Sequence, residues 1–323
     1  MLGDKIAGKI KIIAQMQLSL CNFVSSKDKN SFMSFQEFRT KVENYLSLVK
    51  FAHTIFALPF ALLGFSLATI HHSGSLSWSL LLLVLLCMLF ARNAAMSFNR
   101  WADRDIDEVN PRTAKREIPA KIIGQKSALV FCIVNAVLFV VATWFINPLC
   151  FYLSPIALIV IMGYSLTKRF TALSHFILGL GLALAPTGAY LAVTGNFDWI
   201  PVIISFSVLF WVSGFDIIYS LQDDDFDRNN HLRSVPVWLG RKKALNLSLL
   251  LHVFTFVLLT IAGILGDFKS IYWIGLGIFS LLLFYQHTIV KYNDLRRVNM
   301  AFFTLNGLAS IVFSVFAITD LFF

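Results

Sequence analysis

The sequence predicts an all-α, polytopic membrane protein of nine transmembrane helices, and three observations carry that reading. Hydrophobic residues fill 57% of the 323 positions and charged residues only 14%, against about 25% charged in a soluble domain. Apolar runs long enough to cross a hydrocarbon core of ~30 Å recur along the whole chain. Finally, 26 of the 27 Lys and Arg fall in or beside alternate connections, and Lys269 alone lies in the others. That is the positive-inside asymmetry of inserted chains.

Runs and breakers place the spans at roughly 52–72, 76–98, 127–146, 149–166, 173–194, 199–221, 245–266, 271–290 and 300–320. Asn147-Pro148 separates the third from the fourth. The connections "HHSGS", "NP" and "GNFD" carry no Lys or Arg, so the N-terminus falls inside and, after nine spans, the C-terminus outside. Residues 1–35 read as a basic N-terminal arm, disordered or interfacial, with Lys5, Lys9 and Lys11 but no signal-type apolar run or cleavage site; Met33 is a second candidate start. Residues 36–323 form the membrane domain, opening on "EFRTKVENYLSLVK", which suits an amphipathic helix on the inner leaflet. The four cysteines, Cys21, Cys87, Cys132 and Cys150, form no CxxC and read as apolar packing residues. A net charge of +9 would suggest nucleic acid in a soluble chain; its alternation assigns it to membrane orientation instead.

Between the second and third spans the chain reads "SFNRWADRDIDEVNPRTAKREIPAK", five acids and six bases. Asn99, Asp103 and Asp107 recur every four residues, which on a helix stacks them along one face. Like charges so placed repel, and either the run is a solvated loop or a cation relieves the repulsion. Few hard oxygen ligands suit Mg²⁺, which keeps waters and bridges to substrate phosphates. Arg112, Lys115 and Arg116 follow, and Arg offers a bidentate fork to phosphate.

The pattern returns at the end of the sixth span in "DIIYSLQDDDFDRNNHLRSVP". Asp216, Asp223 and Asp227 share a helical face with Tyr219, while Asp224 and Asp225 point elsewhere. Arg228 and Arg233 follow as the bases did before. Asp103 and Asp223 lie 120 residues apart, each after an even-numbered span, which suggests a repeated four-helix unit whose acidic ends face one another around a diphosphate. Asp216 lies deeper than the rest and suits either a base toward the second substrate or a structural hydrogen bond to a neighbouring helix. Arg92, within the second span, resembles a buried partner for an acid.

N-x-x-x-D-x-x-x-D at Asn99, Asp103 and Asp107, "NPRTAKREIPA", and D-x-x-Y-x-x-x-D-x-x-x-D at Asp216, Tyr219, Asp223 and Asp227 together resemble the UbiA intramembrane prenyltransferases. "SLVKFAHTIFALPFALLG" and "YSLTKRFT" look closest to the 4-hydroxybenzoate polyprenyltransferase branch and its menaquinone-pathway relatives. The resemblance runs from about residue 45 to the end. It implies Mg²⁺-dependent transfer from a polyprenyl diphosphate to an aromatic acid, 4-hydroxybenzoate or a naphthoate, in ubiquinone or menaquinone biosynthesis. The expected location is a bacterial inner membrane, and the charge alternation puts both acidic motifs on the cytoplasmic side. By position, Asn99, Asp103, Asp107, Asp223 and Asp227 would hold metal and diphosphate, and Arg112, Arg116, Lys168, Arg169 and Arg233 would grip phosphate oxygens. Asp216 and Tyr219 would serve the acceptor. The competing class is a cation-coupled transporter, for which "ALAPTGAY" at 183–190 is the one candidate broken helix.

Overall fold

The computed structural model describes residues 35–73 and 75–323, so the basic arm expected over 1–35 lies outside the described residues but for its last position. Among the described residues there is no strand, and nine helices are long and apolar enough to cross a membrane. They are Thr54–His72, Trp78–Ala102, Gln125–Trp144, Pro148–Thr167, Ser174–Thr194, Trp199–Ser220, Arg241–Leu265, Ser270–Ile289 and Met300–Phe322, the first to ninth spans. Many large apolar side chains on them are exposed, among them Tyr152, Ile159 and Leu281 at 70–72%. In water such a surface would aggregate; against lipid tails it is matched. The protein is an integral membrane protein.

Local chemistry explains the boundaries. Asn147 takes an extended conformation and its side chain accepts from the Cys150 N–H at 2.9 Å, with Pro148 opening the fourth span. This is an Asn N-cap with proline at the first helical position. The second span runs past the expected 98 to Ala102, and the seventh starts at Arg241 rather than 245. In both cases a polar turn of helix continues the apolar run at the interface, where hydropathy alone stops counting. Gly240, at φ +79°, provides the turn into the seventh span without a Cβ penalty.

The fifth span continues unbroken through Pro186. Thr187 and Ser205 share a hydrogen bond of 2.6 Å, and the Thr187 N–H reaches Ser205 Oγ at 3.3 Å. Neighbouring hydroxyls thus satisfy backbone polarity around the proline, as lipid requires. The broken helix that would have suited a transporter is absent from this segment.

The described residues group into two compact units: 35–51 with 90–138, and those of 52–89 with 139–323. In the first, the helix Phe35–Leu48 buries Leu48 against Ile118, Ile123, Ala128 and Phe131, and the Tyr45 and Phe131 rings lie 4.7 Å apart. The Arg92 guanidinium donates to the carbonyls of Val49 at 3.4 Å and Lys50 at 2.9 Å, so its partners there are the carbonyls at this helix's C-terminal end, where a cation is favoured. In the second unit the core is aromatic: Phe60, Trp211, Phe215, Tyr272, Phe279 and Phe313 are each at most 2% exposed.

Candidate active site

Both acidic motifs are built in the same way. The second span stops at Ala102, Asp103 takes φ −93° and ψ 4°, and the short helix Arg104–Val109 follows. The sixth span stops at Ser220, Asp223 takes φ −107° and ψ 0°, and the short helix Asp224–Asn229 follows. The middle acid of each motif sits at a bend in the sparsely allowed bridge region, where many active-site residues are found. Backbone bonds carry the four-residue register through the bend. The Asp103 N–H reaches the Asn99 carbonyl at 2.9 Å, and the Asp107 N–H reaches that of Asp103 at 2.7 Å; in the second motif the Asp227 N–H reaches that of Asp223 at 2.7 Å. The straight helical stripe expected of Asn99, Asp103 and Asp107 is therefore bent at its middle residue.

In the first unit, Asn99 Nδ2 donates to Asp103 Oδ2 at 3.1 Å, and Asp103 and Asp107 are each only 3% exposed. Arg116 Nη1 reaches both oxygens of Asp107, at 2.7 and 2.9 Å. The Thr113 hydroxyl donates to the Asp107 carbonyl, and the Arg112 N–H to Asn110 Oδ1, so the loop after the motif folds back onto it. Arg112 itself stays exposed. Glu117 anchors this loop. Its Oε1 accepts from Ser47 Oγ at 2.5 Å, and its Oε2 lies 3.9 Å from Arg100 Nε in a buried ion pair.

In the second unit, Asp216 meets His175 of the fifth span, Oδ2 to Nδ1, at 2.7 Å. Tyr219 stacks on Phe302 with centroids 4.1 Å apart, beside Phe215 and Phe56. Phe302 lies in the π-helical turn Met300–Leu305, and Asn306 satisfies the loosened turn by donating to the Ala301 carbonyl at 2.8 Å. The loop after the fourth span is tied to the loop after the motif. The Arg233 N–H donates to the Lys168 carbonyl at 2.8 Å, and Arg233 Nη1 to the Phe170 carbonyl at 2.7 Å. This brings Lys168 to Asp227. Burial pushes the Asp227 carboxyl up to about 6, with Lys168 opposing and the neighbouring Asp223 adding to the rise. Arg169 is exposed on the same loop.

Asp224, off the motif face as expected, is 3% exposed and held by Arg241 Nε and Nη2 at 2.7 and 2.6 Å; Arg241 also reaches Asp225 at 2.8 Å. His175, Arg241, Arg100 and Glu117 were not singled out by the sequence. One general signal bears on His175: an acid within a span needs a partner, and His175 is the histidine of the fifth span.

No group of three or more His, Cys, Asp or Glu among the described residues forms a ready-made metal cage. Each motif instead offers oxygen donors only, two carboxylates apiece with Asn99 added in the first. That donor set fits Mg²⁺, which is held by one or two carboxylates together with substrate phosphates rather than by an all-protein cage. Asp227 agrees, since a buried acid beside another acid is the environment a cation relieves.

The sequence model of the UbiA prenyltransferase family matches residues 57–308. A 4-hydroxybenzoate octaprenyltransferase of Tolumonas auensis is 28% identical over 242 residues, which is 75% of this chain and 84% of that protein. One from Vibrio parahaemolyticus is 30% identical over 67% of this chain and 76% of its own length. Among solved structures, an apo UbiA homologue from Aeropyrum pernix K1 superposes with a TM-score of 0.74 at 30% identity, covering 83% of this chain and 98% of that one. A UbiA homologue from Archaeoglobus fulgidus, bound to DMAPP and Mg²⁺, has a TM-score of 0.65 at 22% identity over 86% of this chain and 99% of its own, a likeness of fold.

Proposed function

Since the chain belongs to the UbiA prenyltransferase family, we propose that it transfers a polyprenyl group from a polyprenyl diphosphate to an aromatic acid such as 4-hydroxybenzoate, with Mg²⁺, in quinone biosynthesis. The observation that carries the reading is the twofold motif: two span ends, each bent at its middle Asp, each with a second acid one turn later. The names of the octaprenyltransferase relatives support the acceptor class, and a homologue with DMAPP and Mg²⁺ shares the fold.

Asn99, Asp103, Asp107, Asp223 and Asp227 would hold the metal. When bound, Mg²⁺ neutralises charge on the departing diphosphate. Arg112, Arg116, Lys168, Arg169 and Arg233 supply N–H donors to phosphate oxygens. Arg116 holds Asp107 through Nη1 alone, so its other N–H groups can turn to phosphate oxygens while the pair stays compensated. The carbon–oxygen bond to diphosphate breaks with its electrons leaving on oxygen. The allylic carbon is then attacked by the ring carbon of the acceptor, whose displaced proton passes to Asp216. Tyr219, Phe302, Phe215 and Phe56 offer π faces to the cationic carbon and keep water from it.

The experiment is incorporation of radiolabelled prenyl diphosphate into a panel of benzoates and naphthoates by the detergent-solubilised protein, with Mg²⁺ or with EDTA. Label in a hydroxybenzoate product, abolished by EDTA, is the expected result. Label appearing only in naphthoate products would move the acceptor to a fused-ring acid, and no label with any acceptor would defeat the reading.

A further inference from the structure

His175 belongs to no motif, yet the structure fixes it from every side. It is 3% exposed at the inner end of the fifth span. Its Nδ1 lies 2.7 Å from Asp216 Oδ2. Its Nε2 faces the Val235 backbone N–H at 3.4 Å. A backbone N–H only donates, so Nε2 carries the lone pair and the ring proton sits on Nδ1, directed at Asp216. The carbonyl of His175 accepts from Ser213 Oγ at 3.2 Å, one helical turn before Asp216. The fifth and sixth spans touch closely here, because a Cβ on Gly179 would lie 2.5 Å from the Leu209 carbonyl and from Ser213 Oγ.

One carboxylate oxygen is thus claimed by a rigid donor, while the Asp216 side chain as a whole keeps 20% of its exposure against 4% for His175. A carboxylate left to itself would rotate about two side-chain torsions. Anchored through Oδ2, it presents its other oxygen in one direction. Val235 opens the short helix that follows the second acidic motif, so the same imidazole ties Asp216 to the segment carrying Asp223 and Asp227.

We propose that His175 is the positioning residue of the acceptor side: an imidazole whose Nδ1 donates to Asp216 and orients it toward the aromatic substrate. The inference rests on the reading above that Asp216 serves the acceptor. A misplacement of about 1 Å costs roughly 10²-fold in rate, and that is the scale of loss expected here.

The test compares His175→Ala, His175→Gln and Asp216→Asn for prenyl-diphosphate affinity, acceptor KM and kcat in one membrane preparation. The Gln carboxamide can donate to Asp216 and accept from Val235 at once. His175→Ala should lose roughly 10²-fold in acceptor turnover with unchanged diphosphate affinity, and His175→Gln should recover most of it. Adding His175→Ala to Asp216→Asn should cost little more. If the Ala variant does not fold, His175→Met, of similar size and without an N–H, takes its place. Equal turnover in the donorless and Gln variants, or a parallel loss of diphosphate affinity, overturns the proposal. Normal acceptor turnover in Asp216→Asn would instead overturn the reading beneath it. An impaired Asp216→Asn beside an unimpaired His175→Ala would defeat only the positioning role.

Discussion

At the scale of single residues, the acids were legible and their partners were not. Spacing along one helix is printed in the chain, so Asp103, Asp107, Asp223 and Asp227 could be read directly. The pairs Asp216–His175 and Asp224–Arg241 join different helices across 41 and 17 residues, and no local rule selects them. If the four motif acids hold the metal, Asp→Asn at any one should cost roughly 10²-fold or more in turnover, while detergent-extracted protein stays folded. Wild-type rates in one variant would remove that residue from the site. Asp227 yields a separate stability prediction. Burial raises its folded pKa to about 6, above the ordinary carboxylate value of about 4. The unfolded chain therefore loses this proton first as pH rises, so metal-free stability from this group is intact below about pH 4 and lost through about pH 6. The full loss is on the order of 1–3 kcal/mol. In EDTA, Asp227→Asn should melt above wild type at pH 8 and show no such gain at pH 4. An equal offset at both pH values would mean that ionisation of Asp227 is not what destabilises the metal-free motif.

At the scale of elements, apolar runs foretold nine helices, but not where polar turns extend them or where a helix bends. The bends at Asp103 and Asp223 depend on the short helices that follow, and those are held by tertiary contacts: Arg116 on Asp107 in one, Arg241 on Asp224 in the other. Helix-to-helix approach was equally hidden, because a glycine reads the same whether or not another backbone lies against it. The fifth span contains both kinds. A Cβ at Gly179 would meet the Leu209 carbonyl at 2.5 Å, whereas one at Gly188 would meet nothing within 4 Å. Gly179→Ala should therefore force the fifth and sixth spans apart at about 1–3 kcal/mol. Gly188→Ala should be neutral or stabilise by about 0.5–1 kcal/mol through helix propensity. Thermal melting of the two variants in one detergent checks this pair, and a Gly179→Ala protein as stable as Gly188→Ala would contradict the close packing. The same Gly179→Ala change should lower acceptor turnover, since His175 and Asp216 sit on the two helices it separates.

At the scale of the whole molecule, the charges carry the expected orientation: 26 of 27 Lys and Arg lie in or beside alternate connections, and the described residues hold nine helices apolar enough to cross a membrane. On the inside-positive rule we propose that both acidic motifs face the cytoplasm, where a water-soluble diphosphate head and Mg²⁺ are available. The basic arm carries none of the named site residues, so deletion of residues 1–32 should leave activity within about twofold of wild type. Such a change is below the 0.59 kcal/mol of thermal energy at room temperature. Loss of activity in a truncated protein that still inserts would give the arm a part in the site. Orientation has a more direct test, single cysteines probed by an impermeant maleimide, and the structure selects the positions. Asn110 would report poorly because it is 7% exposed and its side chain accepts the Arg112 N–H, whereas Val109 beside it is 62% exposed. Asn229, Ser75 and Asn196 are also exposed. Of the native thiols, Cys87 and Cys132 are buried and Cys150 half-buried, all within spans, and a serine background at all four cysteines removes any contribution from them. Cysteines at 109 and 229 should then label only in inverted or permeabilised vesicles, and those at 75 and 196 from outside intact cells. The inside-positive rule sets the sign of all four results together. A single crossing in the wrong sense would therefore show up as a disagreement between neighbours rather than as a uniform reversal. If 109 and 229 label from opposite faces, no common diphosphate can engage both acidic motifs, and the prenyl-transfer reading fails with the topology.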